Sequence, residues 1–199
     1  MINVDNILQL QADTVIEWHN ELIVKEEKLP WKFIEENHMW NFSLWHEEDI
    51  ARIKDIDPLR IVEAKRNIDK YNQARNNAIE KIDEWILSYL EVAGTVPGEK
   101  MHSETPGMII DRLSIMSLKR YHMNEETLRE DASAEHKLLC GNKVKVLDEQ
   151  ISDLSNCLRL LLISLQAGEL KFKVYRQFKM YNDPSLNPEL YKREQQLNG

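Results

Sequence analysis

Residues that form turns are scarce in this chain. Its 199 residues include only 6 glycines and 6 prolines, and a β fold with many short strands needs more turn residues than these. The scarcity favours a few long helices. At this length, folding buries roughly 70% of the surface of the extended chain, so a hydrophobic core forms without disulfides or metal ions to stabilise it.

Cysteine and long apolar runs are nearly absent as well. Cys140 and Cys157 are the only cysteines, too few for a disulfide framework and without the spacing of a metal-binding pair. We interpret both as reduced core thiols of a cytoplasmic protein. The first residues carry Asp5 and Asp13 and no basic start, so we expect no secretory signal. No apolar run approaches the roughly 20 residues of a membrane-spanning helix, so we expect no membrane insertion.

Positive charge is in deficit. Lysine and arginine number 26 against 34 aspartates and glutamates, which gives a net charge of −8. Binding to nucleic acid requires a cationic surface, so we expect no nucleic-acid partner. The hydrophobic content of 42% and the charged content of 30% are ordinary for a globular protein.

Helix-start and helix-stop signals divide the chain into five long helices. Pro30 ends the first helix, because the residue before a proline avoids helical geometry. Asp57 and Thr105 are N-caps, each followed by a proline at the first helical position, and Gly168 stops the last helix. The predicted helices cover about residues 5–27, 31–56, 58–92, 105–123 and 135–166. We therefore predict an all-α fold, a mostly antiparallel helical bundle of four to six helices, in a single domain over residues 1–199.

The last predicted helix carries a heptad pattern of apolar residues. Spacings of four and three alternate through Cys140, Val144, Leu147, Ile151, Leu154, Leu158, Leu161 and Leu165. This seam is typical of the core-facing stripe of a bundle helix, and it also suits the contact of a homodimer.

The tail, residues 169–199, combines two patterns. Leu170, Phe172 and Val174 alternate as in a strand, whereas Val174, Phe178 and Tyr181 repeat as in a helix. Two turn signals, Asn-Asp-Pro and Leu-Asn-Pro, follow. We expect an ordered but irregular segment that packs along the bundle.

Three charged residues stand where helical periodicity calls for apolar side chains. Asp49, Arg75 and Asp111 lie on the apolar stripes of the second, third and fourth predicted helices. Burial of any one alone would be very costly, but an arginine presents five donors in a fixed fork that carboxylates accept. We therefore expect the three side chains to meet between the helices, with Asp111 pointing toward Arg75.

The candidate site also includes polar residues beside these three and on a second face of the third helix, namely Arg52, Asp69, Asn72, Asn76 and Arg112. Asparagine is a mediocre helix former, so a face rich in it is typical of specific hydrogen bonds. Two interpretations stay open. The set is a sealed ionic network that fixes helix register, or it lines a pocket for a small anionic or polar ligand. A pocket would open to solvent between these three helices and leave arginine donors unpaired.

The sequence contains no recognised metal or catalytic motif. Di-iron bundles need two Glu-x-x-His pairs, and Glu35-x-x-His38 supplies one. The sequence His-Glu-Glu-Asp at residues 46–49 lacks the spacing of a zinc protease. The six histidines show no partner pattern. We therefore expect no metal and no cofactor.

Four longer stretches carry motifs specific enough for comparison with a family. They are "NFSLWHEEDIAR", "KRNIDKYNQARNNAIEKID", "ETPGMIIDRLSIMSLKRYHM" and "YRQFKMYNDPSLNPELY". Together they resemble the bacterial family called domain of unknown function 4254, over about residues 4–191. The resemblance implies an all-helical protein of about this length and a link to surface-glycan assembly, but no activity.

Two hypotheses about function follow. The first is a non-catalytic interaction or accessory protein of bacterial surface-polysaccharide biosynthesis, with a glycan-pathway protein as its partner. The alternative is a small-molecule enzyme or binder with an Arg/Asp-lined pocket. In that case Arg52, Arg75 and Arg112 would hold an anion. Asp49 or Asp111 would act as a general acid or base.

Overall fold

Six helices make up most of the described structure. The computed structural model describes residues 2–177 and 183–197, and for residues 193–197 it describes the backbone alone. The helices are α1 (Val4–Trp18), α2 (Trp31–Ile50), α3 (Pro58–Val92), α4 (Pro106–Leu128), α5 (Ala134–Gln166) and α6 (Pro188–Leu197). Two short strands, β1 (Lys100–Met101) and β2 (Leu170–Lys171), pair in parallel. The predicted all-α fold class is confirmed. No described helix has both the length and the apolar character needed to cross a membrane.

Side-chain caps begin three of the long helices. Asp57 accepts a hydrogen bond from the second residue of α3 at 2.9 Å, and Thr105 accepts one from the third residue of α4 at 3.2 Å. Ser133 caps α5 in the same way at 3.1 Å. Each cap satisfies a backbone donor that has no partner within its helix. The local sequence therefore sets where these helices begin.

The helix pairs α2–α3 and α4–α5 run antiparallel. Glu47, near the end of α2, contacts Arg60 at the start of α3 at 3.1 Å, whereas Glu36, near the start of α2, contacts Lys81 farther along α3 at 3.9 Å. The contacts of α4 with α5 follow the same order. Contacts of α4 with its other neighbours keep the chain order, from Gln11 with Ile110 to His19 with His122 for α1 and from Asn37 with Asp111 to His46 with His122 for α2. Therefore α1, α2 and α4 point one way, and α3 and α5 point the other way.

The main core lies where the five long helices meet. One fully buried residue from each helix illustrates it: Ile7, Ile34, Ile82, Ile110 and Leu158. Burial of each such side chain contributes about 1.5–3 kcal/mol. A second, smaller cluster packs at the other end of α1, α2 and α4 and consists of Val15, Trp18, Phe42 and Leu118. The polar groups described below lie beside and between these two clusters.

The first helix is shorter than predicted. α1 ends at Trp18 rather than near residue 27, and residues 21–27 form neither helix nor strand. The buried carboxylate of Glu35 accepts hydrogen bonds from the backbone N–H groups of Lys25 at 3.0 Å and Glu26 at 2.6 Å. These donors are therefore satisfied by α2 and need no helix of their own. A tertiary contact thus replaces the backbone hydrogen bonds of a helix in this segment.

Two other helix ends also differ from prediction. α2 ends at Ile50 rather than near residue 56, because turns occupy the residues before the Asp57 cap. α4 continues to Leu128, past the predicted end near residue 123. Its additional turn carries Glu125 and Glu126, which hydrogen-bond to histidine side chains.

The C-terminal segment is not irregular throughout, contrary to prediction. β2 pairs with β1, and Phe172 directly after it is 4% exposed within the main core. α6 then follows at Pro188–Leu197. Phe178 and Tyr181, which formed part of the predicted helical repeat, lie outside the described residues.

The heptad seam of α5 faces this chain's own core. Its buried members are Cys140, Leu154, Leu158, Leu161 and Leu165. The other three, Val144, Leu147 and Ile151, are half-buried. The seam therefore serves intramolecular packing, and a homodimer through it stays a prediction.

Candidate functional site

Asp111 of α4 lies at the centre of a buried hydrogen-bond network. Arg75 of α3 donates to both of its oxygens, from Nε to Oδ1 at 2.7 Å and from Nη2 to Oδ2 at 2.5 Å. Asn37 and Asn41 of α2 each donate to Oδ1 at 2.9 Å. The side chain of Asp111 is only 5% exposed. One carboxylate therefore links three helices, and its predicted contact with Arg75 is present.

A second layer of polar side chains extends this network. Asn41 also donates to Oγ of Ser114 at 2.9 Å, and Nδ1 of His38 lies 2.7 Å from the same oxygen. Burial lowers the pKa of His38 to about 3, although the backbone of Gln11 opposes the shift. The imidazole is therefore neutral at physiological pH and acts as a hydrogen-bonding core residue.

A cavity of about 370 Å³ opens above this network, between α2, α3 and α4. Its lining residues are Asn41, Leu44, Trp45, Glu48, Asp49, Arg52, Asn72, Arg75, Ile115 and Leu118. The side chain of Arg75 is 26% exposed, so one edge of its guanidinium contacts Asp111 and the remainder borders the cavity. The sequence left a sealed network and an open pocket as alternatives. The structure contains both, because the network around Asp111 is buried and the cavity lies directly above it.

The structure separates the predicted site residues into three groups. Asp49, Arg52, Asn72 and Arg75 line the cavity, and Asp111 lies beneath it. Asp69, Asn76 and Arg112 do not line it. Asp69 pairs with Lys65 at 2.5 Å, and Arg112 with Glu104 at 2.7 Å, both on the surface. Asn76 is half-buried on α3.

The predicted meeting of Asp49 with Arg75 is wrong. Asp49 lies in the last turn of α2 and is exposed, and its carboxylate accepts no hydrogen bond from any described residue. The early end of α2 explains this, because the apolar stripe on which Asp49 was placed does not continue beyond Ile50. Arg52 lies in the following turn and pairs with Glu48 at 2.7 Å. The residues that complete the network are instead Asn37 and Asn41.

Asp83 of α3 forms a separate buried anchor. Its Oδ1 accepts the backbone N–H of Gly107 at 2.7 Å. Burial raises the pKa of Asp83 to about 6, and hydrogen bonds from Thr105 and Gly107 oppose this shift. A Cβ atom on Gly107 would lie 2.7 Å from the carbonyl oxygen of Ile79 and 2.8 Å from Oδ1 of Asp83. Only glycine therefore allows α4 to begin this close to α3.

Three histidines meet at the far end of α1, α2 and α4, which contradicts the expectation that the histidines have no partner pattern. His19, His46 and His122 each bring a ring nitrogen within 4.8 Å of the others. Burial lowers the pKa of His46, and the neighbouring His19 and His122 lower it further, while Asp49 and Glu125 oppose the shift. Because the three come from distant segments, no spacing motif could have revealed them. Among the described residues this is the group suited to hold a metal ion.

A comparison with known protein families identifies the family of this chain. The family model described as "Protein of unknown function (DUF4254)" matches residues 31–174, which include α2 to α5 and both strands. The chain belongs to this family, as its motifs predicted. No curated protein and no solved structure matches it.

Proposed function

We propose that this protein binds a small polar molecule in the cavity between α2, α3 and α4. The observation that carries the proposal is the state of Arg75. Two of its nitrogens are held by Asp111, while Nη1 has no partner among the described residues and the side chain borders the cavity. An arginine fixed in this way loses little conformational entropy when a ligand accepts its remaining donors.

The charges around the cavity favour a particular class of ligand. Arg52 and Arg75 supply two positive charges, and Glu48, Asp49 and the underlying Asp111 supply three negative charges. A polyanion is therefore disfavoured. Asn72 offers both a donor and an acceptor, and Trp45 offers an apolar ring face. This combination suits a hydroxylated molecule with at most one acidic group, which narrows the small anionic or polar ligand expected from the sequence.

The size of the cavity limits the ligand further. Its volume of about 370 Å³ falls near the lower end of the range of about 300–1,000 Å³ for ligand pockets. A single sugar ring or a small hydroxy acid is the appropriate scale. The accessory role in surface-polysaccharide biosynthesis stays a prediction, because the geometry supports the binding of a small ligand without identifying a protein partner.

A cytoplasmic location is also part of the proposal. Cys140 and Cys157 are both unpaired; Cys140 is buried as predicted, whereas Cys157 is exposed, so its prediction as a core thiol is wrong. An exposed free thiol suits a reducing compartment. Labelling of Cys157 in intact and lysed cells would test this location.

The binding proposal can be tested by calorimetry with four ligand classes: neutral monosaccharides, sugar acids, sugar phosphates and nucleotide sugars. Asn72→Ala removes a cavity-lining amide from α3. Asn76→Ala is its matched control, because Asn76 is also half-buried on α3 but does not line the cavity. Loss of one hydrogen bond should weaken binding about 3- to 10-fold in the first variant and leave it unchanged in the second.

Two results would contradict the proposal. One is the absence of saturable binding for all four classes. The other is an equal loss of affinity in the two asparagine variants, since that would place the ligand away from the cavity. Far-UV circular dichroism of both variants must first show an intact helical fold, so that a change in affinity reports the site and not unfolding.

A further inference from the structure

Three imidazoles converge from three different helices. His19 follows the last residue of α1, His46 lies in the last two turns of α2, and His122 lies in the second half of α4. Their ring centroids are 5.3–5.9 Å apart, and one ring nitrogen of each lies within 4.8 Å of those of the other two. We call these three residues the tri-histidine cluster.

Hydrogen bonds determine which nitrogen of two of these rings is available. Nδ1 of His19 lies 2.6 Å from the carbonyl oxygen of Val15, so Nδ1 carries the proton and donates it. Nδ1 of His122 lies 2.8 Å from Oε2 of Glu125 and donates in the same way when the ring is neutral. In both rings Nε2 then keeps its lone pair. This arrangement, with a carbonyl or carboxylate behind the imidazole, is the usual support of a metal-ligating histidine.

The Nε2 atom of His122 is the most informative atom of the cluster. It is buried, yet none of the described residues hydrogen-bonds to it. A buried nitrogen without a partner costs about 1–3 kcal/mol. A metal ion bound to its lone pair would remove that cost, whereas a packing role for the ring would leave it.

Aromatic side chains surround the cluster and hold the rings in place. Trp45 stacks on His122 with ring centroids 4.8 Å apart, and Tyr121 stacks on His19 at 4.6 Å. Phe42 contacts His46 edge to face at 4.5 Å. These ring contacts restrict the orientations of the three imidazoles.

We propose that His19, His46 and His122 bind a divalent transition-metal ion, with zinc as the reference ion. Neutral imidazole suits Zn²⁺, Ni²⁺, Cu²⁺ and Fe²⁺, whereas Mg²⁺ and Ca²⁺ require oxygen ligands. Zinc–nitrogen bonds of about 2.05 Å place tetrahedral ligands about 3.3 Å apart. The rings must therefore close by up to about 1.5 Å from their present spacing of up to 4.8 Å.

His122 also borders an open region of the structure. His122, Trp45 and Asp49 line a cavity of about 750 Å³ between α2, α4 and α5. Three histidines with one open position form the ligand set of catalytic rather than structural zinc sites. Asp49 lies one turn after His46 on α2 and also lines this cavity. This proposal rests on different observations from those behind the proposed ligand cavity, although Trp45 and Asp49 line both cavities.

The test uses the full-length chain without a histidine tag, freed of metal by dialysis against a chelator. Titration with Zn²⁺ should give one ion per chain, and Co²⁺ should give the visible absorption of a four- or five-coordinate site. His46→Ala and His122→Ala should each weaken Zn²⁺ binding more than about 100-fold, and Glu125→Gln about 10- to 100-fold. His102→Ala is the control and should bind normally, because His102 is half-buried outside the cluster and contacts the carbonyl of Glu104.

A second measurement keeps the test valid if a variant fails to fold. In the wild-type chain, long-range ¹H–¹⁵N spectra of the imidazoles should show Zn²⁺-dependent shifts at three histidines alone, His19, His46 and His122. The proposal is overturned if no stoichiometric binding occurs, if binding survives both histidine substitutions, or if other histidines shift instead.

Discussion

Replacement of Asp111 by alanine tests the buried network most directly. The carboxylate accepts four hydrogen bonds, two from Arg75 and one each from Asn37 and Asn41. Asp111→Ala removes both acceptor oxygens while leaving the three donor side chains in place. The expected destabilisation is therefore the cost of unpaired donors and not simply the loss of a contact.

The size of the expected destabilisation depends on how exposed each donor side chain is to water. Asn37 is 0% exposed and Asn41 is 5% exposed, so water cannot replace the lost acceptor, and an unsatisfied buried donor costs about 1–3 kcal/mol. Asn41 keeps its bond to Ser114, which places it at the low end. Arg75 is partly solvated through the cavity and contributes less than a sealed charge. The total is about 3–5 kcal/mol, the range for breaking a buried ion pair from one side.

Urea unfolding followed by circular dichroism measures this free energy. For a chain of this length, about 3–5 kcal/mol corresponds to a fall in Tm of about 6–20 °C. Asp69→Ala makes the same chemical change in the exposed pair with Lys65 and should cost about 0.5 kcal/mol or less. A loss below about 1 kcal/mol for Asp111→Ala, or equal losses for the two variants, would refute the argument that Asp111 is a sealed acceptor.

Four further substitutions probe the helix contacts. Gly107→Ala should destabilise the protein by about 1–3 kcal/mol, because the added Cβ would collide with the backbone of α3. Gly141 has open space around it, so Gly141→Ala should stabilise the protein by up to about 1 kcal/mol. Thermal unfolding measures both changes. Burial raises the pKa of Asp83 to about 6 from 3.8, so between these two values the folded state holds this proton more tightly than the unfolded state does. The free energy of unfolding therefore falls by about 3 kcal/mol as the pH rises from 3.8 to about 6. Asp83→Asn should abolish that fall in Tm measured against pH, and an unchanged slope would contradict the assignment. Glu35→Ala should speed hydrogen exchange at residues 25 and 26, and slow exchange there would show that the carboxylate does not hold this segment.

The sequence predicted the contact between Arg75 and Asp111 for a physical reason. Helical spacing placed both residues on apolar stripes, and a buried charge needs a partner. Periodicity gives the face of a helix but neither the depth of a residue nor its height against a neighbouring helix. For that reason Asn37 and Asn41, which face Asp111 from α2, were not identified. Asp49 was misplaced because its helix was predicted to continue for another turn and a half.

Helix ends were predictable where a local cap determines them. Asp57 and Thr105 mark the starts of α3 and α4 through bonds within three residues, so the information lies in the adjacent sequence. The end of α1 depends on Glu35, which belongs to another helix. The tri-histidine cluster is an extreme case of the same limitation, since three distant segments form it and each histidine alone resembles an ordinary core or surface residue.

Trp45 and Asp49 connect the two candidate sites physically. Both residues line the smaller polar cavity and the larger cavity beside the tri-histidine cluster. Trp45 stacks on the ring of His122 at 4.8 Å with an angle of 10° between the planes. If closure of the three rings on the proposed metal moved His122, Trp45 would move with it and displace a wall of the polar cavity. If Zn²⁺ changes the affinity for a ligand bound there, the ligand must change the affinity for Zn²⁺ by the same factor. Measurement of both affinities in the presence and absence of the other component would distinguish a single coupled centre from two independent sites.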